Sequence, residues 1–368
     1  MSGTDTGIIF SIERKSPNTL FNFKVAKIVG YWSLDGSRNF HHNSSQLRYW
    51  IPFNEEIVKF DLNDGFALMQ RRPDSLDDEK LENILRWIEG NHQKILADQR
   101  NPRWLRPHFI CYRGPLAKIL KSPYQDRYGW MICAMKFKGT IYICPFDTEE
   151  EKRQKTKETE RDKRMTFWGK RFEHYMLSDT PYHRGDSSPV NESTEFCCVF
   201  ESRLNDHRLL YAAEVDGLCS DEKFEDPLPL DRLKFMELKT DKLNATPGQE
   251  IMRKKVKSLN WWAQSYLVGV EDIVCGYRDD RNGVVRRLEN KSVSGLERDS
   301  RKFWNPSVCM NFYDDFLTFM KRTVKKNYDQ AVYKFERLPN SNKIIVETLP
   351  ATSDYAFLPE WYISFAKK

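Results

Sequence analysis

Apolar residues recur at three- and four-residue spacing over residues 78–95, where Leu81, Ile84, Leu85 and Ile88 share one face. That period predicts an amphipathic helix. Residues 139–144 (Gly-Thr-Ile-Tyr-Ile-Cys) are apolar on both faces and predict a buried strand. Residues 148–164 are almost wholly charged, which fits either a solvated helix or a flexible connection. Helical spacing returns at 166–177 with Phe167, Trp168, Phe172, Tyr175 and Met176, and a loop rich in Pro, Gly, Ser and Asp follows over 178–195. Three strand-like runs come next, at 196–202, 209–218 and 233–240. A long helix is predicted from Pro247 or Gly248 to Leu267, with Val256, Leu259, Ala263, Tyr266 and Leu267 on one face and Gly269 closing it. Residues 273–277 return as a strand. Strands and helices do not alternate regularly, so the expected class is α+β, with residues 1–368 forming one catalytic domain.

Composition narrows the class. Of the 368 residues 40% are hydrophobic and 13% aromatic, enough to build a core, with a minority of rings free to stack on bases. A formal net charge of +6 permits a polyanionic partner without requiring one. The eight cysteines form no C-x-x-C pair and sit mostly in apolar contexts such as Ile132-Cys133-Ala134, which argues against a zinc ribbon or a disulfide framework and for buried, reduced thiols. No apolar run approaches the roughly 18 residues of a membrane span. The N-terminus lacks the apolar stretch of a signal peptide, so the expected location is intracellular. Nuclear is expected over cytoplasmic, although no nuclear address is legible in the residues. The short cluster Arg253-Lys254-Lys255 is no address in itself, because it fits a helix face equally well.

The chemistry concentrates in two runs. In Leu210-Tyr211-Ala212-Ala213-Glu214-Val215-Asp216, strand alternation would place Glu214 and Asp216 on one face, opposite Tyr211, Ala213 and Val215. Two carboxylates on one face of an apolar strand need a cation or solvent. In Phe235-Met236-Glu237-Leu238-Lys239, Glu237 and Lys239 share a face. Asp216 followed by Glu237-x-Lys239 reproduces the D…(E/D)-x-K pattern of a large nuclease superfamily. Carboxylate oxygens hold Mg²⁺, the metal polarises a phosphate and acidifies bound water, and the lysine meets the phosphate or orients the water. Acid-x-Lys is also common on solvated strand faces, so the pattern alone is weak. Glu173 strengthens it: an acid at the edge of an aromatic helical face, with Gly169 one turn earlier leaving space above it. Gln264, after Trp261-Trp262-Ala263, reads equally as a helix-edge glutamine. Arg113 ends the apolar run Phe109-Ile110-Cys111-Tyr112, where an arginine caps a helix, pairs with an acid or clamps a phosphate.

The strings Tyr112-Arg113-Gly114, Gly169 to Glu173, Glu214-Val215-Asp216, Glu237-Leu238-Lys239, Trp261-Trp262-Ala263-Gln264-Ser265 and Trp304-Asn305-Pro306-Ser307-Val308-Cys309-Met310-Asn311-Phe312 occur in this order in the DXO family of decapping exoribonucleases. The chain resembles that family, its animal members in particular, over nearly its whole length. The resemblance implies two mixed β-sheets flanked by helices, with a catalytic pocket between them. It implies hydrolysis of incompletely or abnormally capped RNA 5′ ends (triphosphate, unmethylated guanosine cap or NAD-type cap), followed in many members by 5′→3′ digestion. It places metal, Mg²⁺ or Mn²⁺ and two ions, on Glu173, Asp216, Glu237 and the Leu238 carbonyl, with Glu214 binding metal partly through water and also touching substrate. Lys239 and Gln264 match residues at the scissile phosphate. Tyr112, Arg113 and Gly114 match the motif at the RNA end, and Arg38, Glu79 and Cys197 fall at substrate-contacting positions. Fungal relatives also bind a 5′→3′ exoribonuclease. One position departs from the pattern: Lys170 stands where an apolar or aromatic residue is usual, able to snorkel to solvent or to add a phosphate contact. Every acid is retained, so activity is expected. The alternatives are a nuclease acting on DNA through the same cluster, and a non-catalytic RNA-binding or scaffold protein.

Overall fold

In the computed structural model, which describes residues 7–15, 22–53, 55–73, 79–98, 103–182 and 188–367, alternating side chains sort the strands into two stacked mixed sheets. Phe109 and Cys111 turn into one core layer and Ile110 into another. In the same way Phe235, Ile273 and Cys275 turn to the first layer, while Met236, Leu238 and Val274 turn to a third. Among the described residues one sheet has ten strands and the other seven. The centre of the larger runs Trp130–Phe137, Thr140–Phe146, Phe109–Tyr112, His207–Glu214, Glu195–Leu204 and Phe23–Leu34. Phe109–Tyr112 lies parallel to both its neighbours, and the remaining pairs here are antiparallel. The smaller sheet runs Ile57–Asp61, Val284–Ser292, Asp272–Asp279, Phe235–Lys242, Gly217–Leu218, Tyr49–Trp50 and Leu177–Ser178, with Phe235–Lys242 parallel to Asp272–Asp279. The expected architecture, α+β with two mixed sheets flanked by helices, is the one observed.

The predicted strand 209–218 is in fact two strands in different sheets. His207–Glu214 belongs to the larger sheet and Gly217–Leu218 to the smaller, so Val215 and Asp216 carry the chain across. Gly217 makes the entry possible: a Cβ there would lie 2.5 Å from Leu177 Cδ2 and 3.1 Å from the Trp50 backbone nitrogen. Period-two reading cannot see this, because the apolar pattern continues through the crossing.

The helices cover the outer faces. Residues 82–91 are helical and a 3₁₀ turn continues to Ile95, with Leu81, Ile84, Leu85 and Ile88 fully buried as expected; residue 78 lies outside the described residues. The charged run is two helices and no flexible connection. Thr148 and Glu151 form a capping box for Glu149–Thr156, and Thr159 and Asp162 form another for Glu160–Met176. The aromatic helix therefore begins earlier than residue 166, and its buried Phe167, Trp168 and Phe172 pack on the smaller sheet. The long helix is interrupted. Pro247–Met252 is followed by a π-helical turn, Arg253–Lys257, before Ser258–Val268, which ends at Gly269 with φ 69°. The extra residue of the π turn shifts the buried face, so Val256 is half-buried while Leu259, Ala263 and Leu267 are fully buried. All eight cysteines are free, seven of them buried.

Candidate active site

Three elements deliver carboxylates to one place. Glu173 comes from the last turn of the helix Glu160–Met176, Glu214 and Asp216 from the crossing between sheets, and Glu237 from the strand Phe235–Lys242. A cleft between helix and crossing is lined by Lys170, Glu173, His174, Glu195, Glu214 and Asp216, among others. Asp216 is fixed by its own backbone neighbour across the sheet: its Oδ2 accepts the Leu238 N–H at 2.7 Å. Glu237 is buried and holds the Lys239 ammonium at 2.5 Å. Strand alternation thus predicted the Glu237–Lys239 face correctly. The Glu214–Asp216 pair is brought together by the change of sheet instead.

The electrostatics follow from this crowding. Burial, with the charges of Glu237 and Glu173, pushes the Asp216 carboxyl well above the usual carboxylate range. Burial also pushes Glu173 up, against the opposing pull of Lys170. Glu214 goes down, because Lys170, Arg113 and Lys239 together outweigh its burial. Lys239 is raised: Glu237 and Asp216 outweigh its burial.

Lys170 does not snorkel. Its ammonium lies 2.9 Å from Glu214 Oε1 and 3.3 Å from Glu173 Oε2, turned inward between the two acids. Among the described residues no three Asp, Glu, His or Cys side chains are gathered closely enough to hold a metal as they stand. Each of Glu173, Glu214 and Glu237 is instead engaged by a lysine. The donor set still fits a hard divalent cation: carboxylate oxygens in excess of the two ammonium groups, with two of the acids pushed toward protonation by burial and by their like-charged neighbours. Gly169 and Gly114 leave open space beside the cluster, where a Cβ would meet nothing within 4 Å.

The remaining candidates arrange themselves around this centre. Arg113 is the first residue of the helix Arg113–Lys121, and its Nη1 donates to the Gln264 carbonyl at 2.9 Å. Arg113 and Gln264 are therefore one unit, anchored because the Tyr211 hydroxyl donates to the Leu267 carbonyl on the same helix as Gln264. Tyr112 precedes that helix, and burial pushes its hydroxyl well up. Cys197 pairs in register with Glu214 across the larger sheet, and burial raises its thiol, so it stands beside the acids as a buried, uncharged group. Arg38 and Glu79 form a forked pair (Nε to Oε1 2.8 Å, Nη2 to Oε2 2.5 Å), and Arg38 Nη1 also meets Glu195 Oε1 at 2.8 Å. Arg38 has φ 64°, a left-handed conformation supported by Asp35, whose Oδ1 accepts the N–H groups of Ser37 and Asn39. Glu195 was not anticipated from the sequence. It begins a strand at the end of a polar loop, and nothing in its local pattern marks it. It links the Arg38–Glu79 pair to the carboxylates: burial and the charge of Glu214 push it up, against Arg38.

Residues 24–363 match a family model described as RAI1 like PD-(D/E)XK nuclease. The chain is 34% identical over 340 residues to the decapping and exoribonuclease protein of Bos taurus, covering 91% of this chain and 83% of that one. Its fold is similar to Scheffersomyces stipitis Rai1 in complex with (3′-NADP)⁺ and calcium ion, with TM-score 0.82 and 19% identity over 100% of both chains. It is also similar to Candida albicans Rai1 in complex with pU5-Mn²⁺, with TM-score 0.82 and 18% identity over 98% of this chain and 99% of that one. At these identities the structural likeness speaks for the fold.

Proposed function

Because the chain belongs to the RAI1-like PD-(D/E)XK nuclease family, we propose that it is a divalent-metal-dependent hydrolase of RNA 5′ ends. In this reading it removes incomplete or abnormal caps (triphosphate, unmethylated guanosine, NAD-type) and then digests the RNA 5′→3′. The observation that carries the proposal is the meeting of Glu173, Glu214, Asp216 and Glu237, with Lys239, at the point where the chain changes sheets. Its relatives support the reaction: the Bos taurus protein is a decapping and exoribonuclease protein, and the fungal structures are complexes with pU5-Mn²⁺ or with (3′-NADP)⁺ and calcium ion. The whole chain would act as one catalytic unit.

Glu173, Asp216, Glu237 and the Leu238 carbonyl would hold Mg²⁺ or Mn²⁺, with Glu214 nearby. Such a cation, when bound, supplies a polarised phosphate and an acidified water. The protein's own groups do the rest. The Lys239 ammonium, held by Glu237, meets charge on the scissile phosphate. Arg113 presents its guanidinium to a backbone phosphate, oriented through the Gln264 carbonyl. Arg38 and Glu79, tied to the cleft through Glu195, would contact the 5′ terminal moiety beside Cys197.

The test incubates one RNA sequence bearing a triphosphate, monophosphate, unmethylated guanosine cap or NAD cap with the protein and Mn²⁺. The released 5′ moiety and the length of the RNA body are both read, with DNA of the same sequence alongside. Release of 5′ groups followed by shortening of the RNA is expected, and DNA should stay intact. Unchanged rates in Glu237→Gln or Asp216→Asn would sink the assignment, and cleavage of DNA alone would replace it with the other nuclease reading.

A further inference from the structure

The reaction above leaves Lys170 without a task, yet its geometry is specific. Its ammonium sits between carboxylates of different elements, Glu173 on its own helix and Glu214 at the end of a strand in the larger sheet. The side chain is 31% exposed, and its ammonium end is the part engaged by the two acids. Charge counting gives this placement a consequence. Counted ionised, as a bound cation requires, the four carboxylates Glu173, Glu214, Asp216 and Glu237 face two ammonium groups, Lys170 and Lys239, while Glu195 and Arg113 beside Glu214 offset each other, so two negative charges remain. One divalent cation balances them. A second ion on the Glu173 and Glu214 oxygens would have to share them with the Lys170 ammonium, and a divalent and a monovalent charge about 4 Å apart repel by on the order of 10 kT at an intermediate dielectric.

We propose that Lys170 is a tethered cation that takes the place of one of two metal ions, holding the Glu173–Glu214 side of the site while a single divalent ion binds at Asp216, Glu237 and the Leu238 carbonyl. The inference rests on the metal-dependent reading given above. It makes Lys170 a positioning residue that sets metal stoichiometry.

The test titrates the full chain with Mn²⁺ alone, counting bound ions by calorimetry and by the paramagnetic resonance signal of free Mn²⁺. Wild type and Lys170→Arg, which keeps the charge, should each bind one ion. Lys170→Met should bind two, or show a second site tightened at least tenfold. Without metal the Met variant should melt below wild type, and Mn²⁺ should raise its melting temperature by more than it raises that of wild type. Lys170→Gln, which keeps a polar stem, repeats the measurement should the Met variant fail to fold. Equal stoichiometry and affinity in wild type and both neutral variants overturns the inference, while metal-dependent hydrolysis stands. Absence of Mn²⁺ binding in every form overturns the metal reading and this inference with it.

Discussion

A single hydrogen bond decides how Arg113 should respond to substitution. Its Nη1 is fixed by the Gln264 carbonyl, which leaves the rest of the planar fork free for a phosphate. Lysine keeps the charge but cannot satisfy the carbonyl and grip two phosphate oxygens at once. Arg113→Lys should therefore lower kcat/KM by about 10–100-fold, close to the loss in Arg113→Ala, as read by steady-state kinetics on capped RNA. Full rescue by lysine would show that only charge matters. The acids differ in kind. Asp216→Asn and Glu237→Gln preserve shape, so each should cost about 10³-fold or more in kcat. Without metal Asp216→Asn should hold or raise the melting temperature, because a crowded negative charge has been removed, while Glu237→Gln should lower it, because the Lys239 ammonium loses its buried partner. At this scale the sequence was legible where a residue's place in the cluster travels with its string: Glu237-Leu238-Lys239 and Glu214-Val215-Asp216. It marked Lys170 as a departure but read it as snorkelling or meeting a phosphate rather than turning to Glu173 and Glu214, and it was silent on Glu195, because which way a long side chain turns is settled in three dimensions.

Elements position these residues through close packing, and one contact is tight enough to test. Gly276, in the strand Asp272–Asp279, lies under Phe172, and a Cβ there would come within 2.6 Å of the ring. Phe172 is buried and immediately precedes Glu173. Gly276→Ala should thus push the helix Glu160–Met176 outward, costing about 1–3 kcal/mol in stability and moving Glu173 away from Asp216. The expected result is a lower melting temperature together with weaker Mn²⁺ affinity. A stability loss with unchanged metal affinity would show that the helix repacks without shifting its carboxylate. Helical periodicity announced this helix, and capping residues show afterwards why it starts at Glu160. The π turn and the change of sheet at Val215 and Asp216 left no such mark, since both preserve the local apolar pattern and alter only what the chain meets next.

The whole molecule separates its catalytic end from a pH-sensitive end. His207 opens the strand whose far end is Glu214, and His108 immediately precedes the parallel strand Phe109–Tyr112, which leads into Arg113. The histidines therefore lie at the opposite ends of these strands from the site. Burial pulls His108 down to about 3, helped by Lys321 and Arg103, and pulls His207 down to about 4, helped by Lys321. His108 Nδ1 accepts the Arg208 N–H at 2.9 Å, which requires that nitrogen unprotonated. The sign follows from proton counting. Below about pH 6.5 the unfolded chain takes up protons that the folded chain refuses until about pH 4 or 3, so stability falls with pH across that window. Each histidine should withdraw about 2 kcal/mol between pH 8 and pH 5. Asp216 and Glu173 act in the opposite sense, because acids raised in the fold favour it as pH falls. The wild-type profile mixes the two effects, so the discriminating comparison is with His108→Asn and His207→Gln in urea titrations from pH 8 to pH 4 without metal. Each variant should start less stable at pH 8 and lose about 2 kcal/mol less on acidification than wild type, converging with it near pH 5. Parallel profiles would mean that both rings accept protons in the folded state, and that acid sensitivity arises instead at carboxylates lowered in the fold, such as Glu79 and Asp241.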